Sequence, residues 1–140
     1  MKLAVNRCFG GFSLSPEGER EYLKRKGKTA FFYRITKFKH DGGVQEYERV
    51  DNPENTLFQH CVTRDLGKTI SDFPKEDGLW FSCREIPRDD LDLIAVCEEL
   101  GEKADGQCAQ IEIVEVPDGI EWEIDEYDGS ESVDEKHRSW

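Results

Sequence analysis

Arginines beside aromatic residues are the feature of this sequence with the clearest chemical potential. A guanidinium group grips phosphate oxygens through paired donors and stacks on aromatic rings, while aromatic rings stack on adenine with about 1 to 3 kcal/mol per base. Together such side chains could hold a nucleotide. Taken one at a time, the arginines are more simply partners of carboxylates and the aromatics core residues. The neighbours are Arg7 near Phe9 and Phe12, Arg34 within FFYRI, Arg84 and Arg88 before a predicted helix, and Arg138 near Trp140.

Patterns typical of enzymes are missing from the sequence. His40, His60 and His137 lie far apart, and neither H-E-x-x-H nor G-x-S-x-G occurs. Gly10 and Gly11 lack the Lys and Ser/Thr of a phosphate-binding P-loop. With 31 Asp and Glu residues, neighbouring carboxylates arise by chance and do not indicate a glycosidase dyad or a magnesium site. We therefore expect a binding protein without catalytic activity, cofactor or metal.

Length and composition predict one small domain, residues 1–140, in the cytoplasm. No apolar run approaches the roughly 20 residues of a membrane span, and MKLAVNRC lacks the apolar stretch of a signal peptide. Five cysteines without a C-x-x-C pair favour reduced, mostly buried thiols over a zinc site or a disulfide framework. Because 36% of the residues are charged, the core must be thin, and we expect at least a dimer.

The net charge of −12 is unevenly distributed along the chain. Residues 1–70 hold 13 Lys and Arg against 9 Asp and Glu, whereas residues 71–140 hold 6 against 22. A nucleic-acid-binding protein needs a strongly basic face, which this distribution does not predict. An acidic surface could instead mimic DNA, but acidic surfaces that only keep a protein soluble are far commoner.

Two helices are predicted to position the candidate residues. Ser15 is a typical N-cap, Pro16 a typical first helical residue, and Gly27 follows a basic last turn, which predicts a helix over 16–26. Apolar residues at helical spacing over 93–100 predict a second helix that is capped by Asp89 or Asp90 and ended by Gly101.

Strands fill most of the remaining sequence and predict an α+β fold, a mainly antiparallel sheet packed with two helices. A short strand near the start is bent by Gly10 and Gly11. A hairpin about Asp-Gly-Gly covers the run from Thr29 to Val50. Further strands are predicted in FQHCVT, in LWFSCREI, and on both sides of the Pro-Asp-Gly turn within 109–127, while the rest of 51–78 is predicted as loops.

Two stretches carry a resemblance to a known family. NRCFGGFSLS near the start and IPRDDLDLIAVCEELGEKADG, which continues to the closing VDEKHRSW, resemble a phage-encoded family, the first type of Thoeris anti-defence proteins. The resemblance covers 1–15 and 86–140 and leaves the middle, 29–78, unmatched. It implies a viral sponge that binds cyclic ADP-ribose signals in the cytoplasm of the infected bacterium and leaves them intact.

The resemblance also implies where the ligand binds. The pockets are expected between protomers of a dimer, in an arrangement that extends to a hexamer and also accepts cyclic oligonucleotides. Arg88 and Arg138 are the arginines assigned to the pocket, and the segment 126–140 completes it, with Trp140 as an apolar anchor. The expected ligand-binding residues are Arg7, Phe9, Gly10, Gly11, Phe12, Arg88, Arg138 and Trp140.

A different class of protein also fits the residues. An acidic phage protein could block a host protein by direct contact, with its arginines serving only the fold. Thermal unfolding with a panel of nucleotides separates the two, because a ligand at 100 times its Kd adds about 2.7 kcal/mol of stability and a protein-blocking surface gains nothing.

Overall fold

The architecture is α+β, as the sequence predicts. The computed structural model describes residues 1–38, 43, 45–56 and 59–135, and in these residues two helices accompany eight strands that pair antiparallel. The helices are α1 (Pro16–Arg25) and α2 (Leu91–Leu100). The strands are β1 (Lys2–Asn6), β2 (Phe31–Lys37), β3 (Glu46–Val50), β4 (Gln59–Val62), β5 (Thr69–Ser71), β6 (Ile111–Glu115), β7 (Trp122–Tyr127) and β8 (Ser130–Glu135).

Both helices begin at the predicted caps. The Ser15 hydroxyl accepts the N–H of Gly18, and the Asp90 carboxylate accepts the N–H groups of Asp92 and Leu93. These oxygens satisfy backbone donors that the first helical turn leaves without partners. The second helix ends at Leu100 and has the predicted Gly101 as its C-cap, and the first ends at Arg25, one residue before the predicted Lys26.

The middle of the chain forms a four-stranded sheet in the order β4-β2-β3-β5. The pairing of β2 with β3 confirms the predicted hairpin, although most of its Asp-Gly-Gly turn lies outside the described residues. Strand β4 confirms the strand predicted in FQHCVT, whereas β5 is not predicted by the sequence. One side of this sheet is covered by an aromatic cluster that includes Tyr33, Tyr47 and Phe73.

The strand predicted in LWFSCREI is wrong. Trp80 makes one isolated bridge to Val62, and the segment then turns through a short 3-10 helix, Cys83–Glu85. Leu79 packs among the aromatics of the four-stranded sheet, while Ile86 packs with the helices. The apolar residues of this segment therefore serve two different cores, which a single straight strand could not reach.

Strands β6 and β7 flank the Pro-Asp-Gly turn, but they do not pair with each other. Strand β6 pairs with β1, with Ala4 opposite Ile113, and β7 pairs with β8, a strand that the sequence does not predict. The helices pack beside β1 around Leu93 and Val96, which are fully buried. Neither helix in the described part of the chain has the length and apolar composition of a transmembrane segment.

Candidate ligand-binding site

A tight turn joins β7 to β8 and forms the tip of the C-terminal hairpin. Tyr127 lies opposite Ser130, so only Asp128 and Gly129 connect the strands, with φ of 53° and 91°. Positive φ at both central residues defines the type I′ turn, whose twist matches that of the flanking strands and which favours Asp-Gly. This local sequence therefore accounts for the shape of the tip.

The tip rests on the loop that follows β1. The N–H of Gly10 donates to the carbonyl oxygen of Asp128 at 3.2 Å. A Cβ atom added at Gly129 would lie 2.3 Å from the nitrogen of Gly11 and 2.5 Å from that of Gly10, closer than atoms can approach. Glycine at 129 therefore permits direct contact between the two backbones.

A buried polar network fixes the hairpin to β1. The N–H of Asn6 donates to Oε1 of Glu131 at 2.8 Å, and its Nδ2 donates to the carbonyl oxygen of Gly129 at 2.8 Å. Asn6 is fully buried and Glu131 is 5% exposed. Polar groups so far from water are stable only when hydrogen-bonded, so these contacts define how the hairpin docks.

Arg88 supplies the positive charge of this network. Its guanidinium pairs with both carboxylate oxygens of Glu131, at 2.8 Å between Nη2 and Oε2, and also donates to the carbonyl oxygen of Ala4. The same group lies 3.8 Å above the centre of the Phe12 ring. Arg88 therefore reaches the site as half of an ion pair, which differs from the free phosphate-binding group that the resemblance implies.

A cavity of about 570 Å³ opens above this network. Its volume falls in the range of small-molecule sites. Phe9 is 62% exposed and Arg84 is exposed, so both present contact surface to a ligand. In the described part of the chain, Arg84 has no hydrogen-bond or ion-pair partner. The cavity is lined by Phe9, Gly10, Gly11, Phe12, Arg84, Arg88, Glu126, Asp128, Gly129 and Glu131.

Most of the expected site residues meet at this cavity. Phe9, Gly10, Gly11, Phe12 and Arg88 line it, and the segment from 126 contributes the hairpin tip. In contrast, the Arg7 side chain pairs with Glu112 and donates to the carbonyl oxygen of Glu131, and it lines a neighbouring cavity of about 510 Å³. Arg138 and Trp140 lie outside the described residues.

Arg84 and the individual hairpin acids are not among the site residues predicted from the sequence. Arg84 belongs to the arginines noted beside aromatics, and only its approach to Gly11 in space, 3.3 Å from a Cβ built there, distinguishes it. The Asp-Gly pair at 128 and 129 is a hairpin signal that could have predicted the tip. Glu131 had no such local signal, because its partners lie more than 40 residues away.

A second, smaller cavity of about 150 Å³ lies between α1 and β4. Glu19 lines it, and burial raises the pKa of this carboxyl to about 7, although a hydrogen bond with Cys61 lowers it in part. The Oε1 atom of Gln59 is buried there, and none of the described residues donates a hydrogen bond to it. This cavity is below the usual size of a site for a drug-sized ligand.

Metal and thiol chemistry find no support in the described residues. No group of three His, Cys, Asp or Glu side chains there could hold a metal ion. All five cysteines are free, but only Cys61 and Cys97 are buried, so the prediction of mostly buried thiols is wrong. Burial raises the pKa of the Cys97 thiol to about 12 and also raises the pKa of the Cys61 thiol, which keeps both in the unreactive thiol form.

Comparison with known proteins leaves the cavity as the main guide to function. The chain matches no family model, no curated protein and no solved structure.

Proposed function

We propose that this protein binds a cyclic ADP-ribose isomer in the cavity between the Gly10 loop and the hairpin tip and sequesters it without cleavage. The observation that carries the proposal is that an exposed aromatic ring, Phe9, lines the same cavity as Arg84, a guanidinium without an ion-pair partner among the described residues. A ring of this kind stacks on adenine, and a guanidinium forms paired hydrogen bonds with phosphate oxygens. The resemblance to the Thoeris anti-defence sponges supports the same ligand class.

The balance of charge supports an assembly of several copies. Arg88 and Glu131 neutralise one another, so among the described lining residues one guanidinium, Arg84, remains against the carboxylates of Glu126 and Asp128. A diphosphate carries more negative charge than Arg84 alone offsets. We therefore propose a homo-oligomer, at least a dimer and by resemblance a hexamer, in which a second copy adds positive charge. The proposed place of action is the cytoplasm of the infected bacterium, with no role in binding nucleic acid.

Calorimetry with cyclic ADP-ribose isomers tests this function. Arg84→Gln should weaken binding about tenfold or more, because a hydrogen bond to a charged group contributes about 1.5 to 3 kcal/mol. Arg64→Gln is the matched control, since Arg64 pairs with Glu76 and lies outside the cavity lining. Ligand released by heating should be chemically intact on chromatography. Absence of binding to every isomer would exclude the proposed ligand class.

A second function rests on the outer face of the hairpin. Glu123, Asp125 and Asp134 are exposed there, and a hydrogen bond with Asp125 raises the pKa of Asp134. Tyr127 is 80% exposed on the same face, since it alternates with the residues that face inward. An acidic face with an exposed aromatic suits direct contact with a basic host protein. If no nucleotide raises the melting temperature, this alternative is favoured.

A further inference from the structure

The cavity has two chemically different sides. Phe9 and Arg84 can contact a flat ring and an anion, whereas the hairpin contributes Glu126 and Asp128. Both carboxylate side chains are exposed, and within the described residues neither has a hydrogen-bond or ion-pair partner. A carboxylate only accepts hydrogen bonds, so the hairpin side repels phosphate and attracts hydroxyl groups.

The backbone holds these two acceptors in place. Asp128 lies in the type I′ turn, and its carbonyl oxygen accepts the Gly10 N–H, so its side chain starts from an anchored position. Glu126 lies directly opposite Glu131, and both side chains therefore project from the same face of the hairpin. Because Glu131 is bound to Arg88 and Asn6, the position of Glu126 follows from the docking of the hairpin.

From this asymmetry we infer that the cavity recognises the ribose hydroxyls of its ligand through the carboxylates of Glu126 and Asp128. The inference rests on the proposed function and adds the orientation of the ligand: phosphate at Arg84, ribose at the hairpin tip. Acidic side chains recognise ribose hydroxyls in the same way in dinucleotide-binding proteins. The site would then bind ligands without these hydroxyls more weakly, because such ligands donate no hydrogen bonds to the two carboxylates.

The test uses cyclic ADP-ribose and analogues that lack the 2′-hydroxyl of either ribose. Calorimetry on the wild-type protein should show weaker binding, by about tenfold or more, for at least one analogue, the magnitude of a charged hydrogen bond. A variant with Glu126→Gln and Asp128→Asn should bind the parent compound more weakly and discriminate less between parent and analogue. A control with Glu54→Gln and Asp77→Asn removes the same charge at exposed positions outside the cavity and should discriminate as the wild type does.

The outcomes separate this inference from the proposed function. Equal binding of parent and analogues by the wild type overturns hydroxyl recognition and leaves the nucleotide function standing. Tighter binding of the parent compound by the Glu126 and Asp128 variant also overturns it, because the carboxylates would then only repel phosphate. No binding of any compound overturns both proposals.

Discussion

Two carboxyl groups, Glu131 and Glu19, are withdrawn from water in two regions of the molecule and are accommodated in opposite ways. Glu131, at the docked hairpin, receives both arms of the Arg88 guanidinium and the N–H of Asn6. Glu19, between α1 and β4, has a thiol as its hydrogen-bond partner, and burial raises its pKa to about 7. A buried acid thus either pairs with a cation or retains its proton.

Glu131 and Glu19 therefore contribute to the stability of the fold in different ways. The pair of Glu131 with Arg88 joins residues that are distant in the sequence and sets the position of the hairpin tip at the cavity. Glu19 joins α1 to the four-stranded sheet through its hydrogen bond with Cys61, and its contribution to the free energy of unfolding depends on pH. The candidate site is therefore built over a buried carboxylate, Glu131, whose charge Arg88 compensates, whereas Glu19, which has no such cation among the described residues, lies at the contact between α1 and β4.

The largest loss of stability is expected from breaking the ion pair between Glu131 and Arg88. Glu131→Gln leaves the guanidinium of Arg88, 15% exposed, without its counter-charge, and breaking a buried pair in this way costs about 3 to 5 kcal/mol. The free energy of unfolding in urea should fall by about that amount. Glu112→Gln breaks an exposed pair with Arg7 and should cost less than about 1 kcal/mol. Equal losses in the two variants would show that the buried network does not hold the hairpin.

A smaller effect, of opposite sign, is expected from Glu19→Gln. The folded pKa of about 7 lies above the ordinary value of 4.5 for this carboxyl, so between these pH values the unfolded chain releases a proton that the folded chain retains. The wild type should lose at most about 3 kcal/mol of stability as the pH rises through this window, at 1.36 kcal/mol per pKa unit. The Gln variant lacks this loss and should be more stable than the wild type at pH 8.

Urea unfolding between pH 4 and 8 measures this effect. The difference between the wild type and Glu19→Gln isolates Glu19 from all other titrating groups. Glu17→Gln changes an exposed acid in the same helical turn and should follow the wild-type curve. A wild-type curve that remains parallel to the Glu19→Gln curve across the window would contradict the raised pKa.

A feature of this fold can be predicted from the sequence when the residues that determine it lie close together along the chain. Ser15 and Asp90 cap their helices through bonds to residues two or three positions away, so both helix starts are readable. The pairing of β1 with β6 joins residues more than 100 positions apart and leaves no local signal. The segment 79–86 resembles a strand because it is apolar, but it bridges two cores.

The candidate site follows the same rule. Phe9, Gly10, Gly11 and Phe12 are neighbours in the sequence, so their common lining of the cavity is no surprise. The resemblance implies that Arg88 belongs to the pocket, but not that it lies beneath these residues. Its neutralisation by Glu131 could not be predicted, because a chain with 31 acids offers too many partners for every arginine.

The smallest expected effect concerns the thiol beside Glu19. The hydrogen bond with Cys61 lowers the pKa of Glu19 and so opposes the larger effect of burial. Cys61→Val keeps an apolar side chain of similar size at the contact between α1 and β4, but it removes this hydrogen bond. The pKa of Glu19 should then rise further, and the pH at which the stability loss levels off should move upwards. The stability of Cys61→Val is compared at each pH with that of the double variant that also carries Glu19→Gln. The result is the pH at which the difference levels off, so a change in stability that is equal at every pH does not affect it. A shift to lower pH would show instead that water enters the contact between α1 and β4 when the thiol is lost.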